Sequence, residues 1–86
     1  MKAKEILETA SNLVTGDRHE QHGDMAQNHK NIALLWSAYL EIPITPAQAA
    51  GMMILLKVAR TKLGEPNPDN FVDCCGYAAI MGELCQ

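Results

Sequence analysis

Apolar residues at helical spacing, cut into four stretches by glycine and proline, restrict this chain more than any other feature. Between residues 3 and 15 the apolar positions are Ala3, Ile6, Leu7, Ala10, Leu13 and Val14, a single stripe with Glu5, Glu8 and Asn12 on the far side. Gly16 supplies a helix stop. Asp24 is a good N-cap for a second helix running to about Leu40, with an expected inward stripe of Met25, Asn28 or His29, Ile32, Leu35, Trp36 and Tyr39. Thr45-Pro46-Ala47-Gln48 combines a capping box with proline at the first helical position. The third helix is expected to reach Leu63 and stop at Gly64; Asn67 and Pro68 then open a fourth that runs to the C-terminus. The expected fold is all-α: one domain over residues 1–86, a compact bundle of about four helices.

Such a short chain buries only about two-thirds of its unfolded surface, yet 48% of its residues are hydrophobic. Met52 to Leu56 and Phe71 to Met81 are apolar nearly all round, as in helices covered on several sides. Self-association into a homo-oligomer is the natural outlet. A net charge of −3 argues against general nucleic-acid binding, which needs a basic face. The longest uncharged run, Ile42 to Leu56, contains Pro43, Pro46 and Gln48 and falls short of a membrane span. The N-terminal residues lack the pattern of a signal peptide, and Cys74, Cys75 and Cys85 read as reduced thiols. A cytoplasmic location is expected.

Charges inside apolar helices are the features that point to chemistry. Lys57 and Arg60, three apart on the third helix, share a face with Ala49, Ala50 and Met53. On the fourth helix Asp73 is the only charge between Asp69 and Glu83, four residues from Asp69 on the same face. A short connection makes these helices antiparallel neighbours, which brings Lys57 and Arg60 within reach of Asp73, with Asp69 and Asn70 close by. A structural ion pair is one outcome. The other is a desolvated phosphate site, favoured because one carboxylate leaves one of two cations unneutralised.

The polar linker from Gly16 to Gly23, with the residue that follows it, offers Arg18, His19, Glu20, His22 and Asp24. His19 and His22 lack a third ligand at helical spacing, so no metal site is assigned. A loop offering Arg18, backbone amides and a following helix N-terminus to an anion is the functional alternative to a solvated loop. Asn28 and His29 lie one turn into the second helix and could reach the same cavity, although a lone histidine is more often a satisfied core residue. Trp36 and Tyr39 are read as core. No phosphate-binding glycine loop, nucleophile elbow or catalytic Ser/His/Asp or Cys/His pairing is present in the sequence.

Leu13-Val14-Thr15-Gly16-Asp17-Arg18, His22-Gly23-Asp24 and Ile32 through Leu40 occur in order with Ile44-Thr45-Pro46 and Met53 through Arg60. Asp69 through Asp73 and Gly76-Tyr77-Ala78-Ala79 follow. Together they resemble a family of short uncharacterised proteins of tailed phages and prophages, over nearly the whole chain. More distantly, the chain is similar to phage nucleotide-modification-associated domains and to the all-α MazG-like nucleoside triphosphate pyrophosphohydrolases. The distant resemblance implies a helical oligomer, a Mg²⁺-bound nucleotide and cleavage between the α- and β-phosphates. Two departures stand out. Where such enzymes carry carboxylate clusters on two helices, Glu5 and Glu8 fall on the outer face here, and His22 occupies a position where the phage family is expected to have tyrosine.

Three functions follow. The first is a non-enzymatic binder of a nucleotide or nucleotide-derived signalling molecule in the host cytoplasm, sequestering it from host defence. Its expected ligand contacts are Arg18, His22, Asn28, Lys57, Arg60, Asp69 and Asp73. The second is a Mg²⁺-dependent pyrophosphohydrolase, which needs more carboxylates than the sequence places. The third is a structural or protein-interaction module in which the Lys57–Asp73 contact only fixes helix register.

Overall fold

A computed structural model describes residues 1–16 and 24–86. It contains α1 (Ala3–Thr15), α2 (Met25–Leu40), α3 (Pro46–Arg60) and α4 (Pro68–Leu84), with no strand among the described residues. The all-α expectation holds. No described helix is long and apolar enough to cross a membrane.

Each helix starts where side-chain chemistry satisfies its first backbone donors. Glu5 Oε1 reaches back to accept from the Lys2 backbone N–H at 3.2 Å, opening α1. Asp24 Oδ1 accepts from the Ala26 N–H at 2.9 Å. Thr45 Oγ1 and Gln48 Oε1 exchange bonds with each other's backbone N–H at 3.0 and 2.9 Å. Asn67 Oδ1 accepts from the Asp69 N–H at 3.0 Å. At the end of α1 the Gly16 N–H donates to Asn12 O, and a Cβ there would sit 2.7 Å from that same oxygen, so only glycine fits.

Two boundaries differ in kind from the rest. Glu41 closes α2 in the left-handed region at φ 59°. Ser37 Oγ then brackets the turn, accepting from the Ile44 N–H at 2.8 Å and donating to Ile44 O at 3.2 Å. The third helix ends at Arg60, short of the expected Leu63. Thr61 tightens the chain there: its N–H and its hydroxyl both bond to Val58 O, at 3.0 and 2.6 Å, and replace the next α-helical turn.

The fourth helix is the hub. It packs most extensively on α3, then on α1, and more narrowly on α2, while α2 rests chiefly on α3. The buried positions are mainly small: Ala10, Ala33, Ala49, Ala50 and Gly76, with Val72, Ile80 and His29. Small residues let helix backbones approach closely, and they set the rotation of α2. That rotation corrects the expected inward stripe. Leu35 and Tyr39 are 70% and 87% exposed, as is Leu34 at 71%, while His29 and Ala33 are the buried face and Trp36 is half-buried. The late helices are likewise covered on one side only, since Met52, Leu55, Leu56 and Phe71 are exposed.

Candidate functional site

The antiparallel α3–α4 pair delivers the contact that its spacing implies. Lys57 Nζ lies 2.9 Å from Asp73 Oδ2, with 13% and 26% of the two side chains exposed. Partial burial makes losing either partner costlier than at a surface bridge, because the other charge would be left uncompensated. Arg60 is exposed in the last turn of α3 and makes no ion pair among the described residues. At that end of the helix both cations also face the unsatisfied carbonyls, a favourable placement that needs no ligand. Asp69 is exposed in the first turn of α4, and Asn28 is half-buried beside His29. Arg18 and His22 fall outside the described residues.

Asp73 has a second neighbour besides Lys57: empty space. A narrow cleft of about 40 Å³ is lined by Asp73, Gly76 and Tyr77 of α4, with Val14 of α1 and Met25 of α2 among its other walls. It adjoins a wider cavity of about 390 Å³ that shares Val14 and Met25 and continues along α4 to Ala79, Ile80 and Glu83, with Thr15 and Asp24 on its rim. Together they form a groove along α4 between the end of α1 and the start of α2. Among the described residues its carboxylates are Asp73, Asp24 and Glu83. Lys57, Arg60, Asp69 and Asn28 do not line it. Of the expected contacts among the described residues, Lys57 and Asp73 meet, and Asp73 alone lines the groove.

Behind the groove wall lies His29, 2% exposed. Its Nδ1 is 2.8 Å from Met25 O, a carbonyl that can only accept, so Nδ1 carries the proton. The ring meets Tyr77 edge-on, with centroids 5.8 Å apart. Nε2 is left as a buried acceptor with no partner among the described residues. Sequence spacing had made His29 an ordinary satisfied core residue; the structure leaves half of it unsatisfied, one turn from the groove. On the α3 side, burial pushes the Cys74 thiol pKa up, reinforced by Cys75 and Asp73 and opposed by Lys57.

Sequence reasoning missed Tyr77 and Glu83. Each belongs to an element whose neighbours are distant in the chain, and nothing local marks them. Among the described residues no three His, Cys, Asp or Glu side chains are grouped so as to hold a metal ion.

The "Gene 55 protein" of Mycobacterium phage L5 is 41% identical over 80 residues, covering 92% of this chain and 51% of that protein. The "Gene 55 protein" of Mycobacterium phage D29 is 43% identical over 82 residues, covering 95% of this chain and 54% of that protein. The chain thus spans about half the length of these curated phage relatives. No solved structure matches it. The model of the family described as a domain of unknown function, DUF6378, matches residues 5–85, which include α1 from Glu5 onward, all of α2 to α4 and both ends of the groove, and the chain belongs to that family.

Proposed function

We propose that the protein binds a nucleotide or nucleotide-derived small molecule in the groove along α4. The observation that carries this is the groove itself, about 390 Å³ in its wider part and ending at an ion-paired carboxylate. That volume lies within the roughly 300–1,000 Å³ usual for small-molecule sites. Its apolar walls, Val14, Met25 and Ile80, suit a planar base, and Asp24 and Glu83 can accept from ribose hydroxyls or exocyclic amines. Lys57, paired with Asp73, is a cation available to a phosphate that displaces the carboxylate. In a phage setting, such binding would sequester a signalling nucleotide of host defence.

Asp73, Asp24 and Glu83 along one groove also favour a second reading, a Mg²⁺-dependent pyrophosphohydrolase akin to the MazG-like enzymes. Binding without cleavage is preferred because hydrolysis needs several grouped carboxylates, and among the described residues no three are grouped as a metal site. A panel of nucleotides, cyclic nucleotides and ADP-ribose-type molecules, with and without Mg²⁺, separates the readings. Binding predicts a raised Tm for a subset of ligands and their intact recovery after denaturation. Recovery of cleaved product would replace binding by hydrolysis. No stabilisation by any ligand would remove both and leave a structural module.

A further inference from the structure

The outer face of α2 is unpartnered, and we infer that it pairs with α2 of a second copy of this chain, antiparallel about a two-fold axis. This interface is independent of what the groove holds. Leu34, Leu35, Ala38 and Tyr39 form an uncharged, exposed patch on the half of the helix turned away from α3. Lys30 and Glu41 bound the patch at its two ends; both are exposed, and neither makes an ion pair among the described residues.

The spacing of those two charges selects a second copy as the occupant. Eleven residues are about three helical turns, so Lys30 and Glu41 lie along the same edge of the face, about 16 Å apart. In a two-fold antiparallel pair the same edge of each face meets its mate. With the axis near Leu35 and Trp36, Lys30 of each copy falls opposite Glu41 of the other, and the leucines meet in the middle. A parallel two-fold pair would instead put Lys30 and Glu41 of the two copies on opposite edges of the interface, so the complementary contact would be lost. Glu41 moreover holds its carboxylate at a left-handed backbone position, where glycine would be less strained.

The face is made of large apolar side chains left open to solvent: Leu34, Leu35 and Tyr39 are 71%, 70% and 87% exposed, and apolar and aromatic side chains of this kind form the centre of protein interfaces.

Size-exclusion chromatography with light scattering on the full chain, over a range of concentrations, tests the pairing. A dimer is expected for the unmodified protein. Leu35→Asp should give a monomer with unchanged helical circular dichroism, since the site is exposed. Lys30→Glu should weaken the dimer by roughly tenfold or more through like-charge opposition, and Lys30→Glu with Glu41→Lys should restore it. A monomeric unmodified protein, a dimer that survives Leu35→Asp, or a charge swap that fails to restore association would each overturn the proposal.

Discussion

At the scale of single residues, the Lys57–Asp73 pair separates register from recognition. Breaking it with Lys57→Met leaves Asp73 half-buried and uncompensated, and should cost about 1–3 kcal/mol of stability, the fully buried figure reduced for partial exposure. Lys57→Met combined with Asp73→Leu should recover most of that loss in urea unfolding, because two matched apolar side chains replace two matched charges. If the double variant stays as unstable as the single, the pair is not what Lys57 contributes. This contact was legible in the sequence: the short connection after α3 fixes which residues of α3 and α4 face each other. His29 was only half legible. Its burial follows from the helical period, but its unpaired Nε2 depends on which side chains the neighbouring helices bring, and Tyr77 is 48 residues further along the chain. Arg60 shows the converse. Its spacing from Lys57 is real, yet α3 ends at that residue and the side chain leaves the helix pair for solvent.

At the scale of helices, caps were the most readable signals because they are local. Asp24, Thr45 with Pro46, and Asn67 with Pro68 each begin a helix at the expected residue. The rotation of α2 about its axis was not readable. Choosing the stripe with the largest side chains put Leu35 and Tyr39 inside, whereas the close approach of helices with alanine faces turned Ala33 inward. Size was the misleading cue. Within α4, Gly82 has only open space where a Cβ would stand, and its φ is ordinary. Gly82→Ala should therefore raise stability by about 0.5–1 kcal/mol through helix propensity alone, seen as a higher Tm with no change in ligand response.

At the scale of the whole molecule, the groove was invisible to sequence reasoning because it is assembled from the end of α1, the start of α2 and the length of α4. It exists only once the first and last helices meet. That meeting has a further consequence. Because α1 rests almost wholly on α4 among the described residues, it can swing away while α2 and α3 keep their own packing. Amide exchange should therefore be fastest in Ala3–Thr15 and slowest in the middle of α4, through local opening well below the energy of global unfolding. A guest held against Val14 and Thr15 would latch this door, so its arrival should slow exchange in the first helix far more than in the α3–α4 hairpin. Uniform slowing across the chain would place the guest elsewhere.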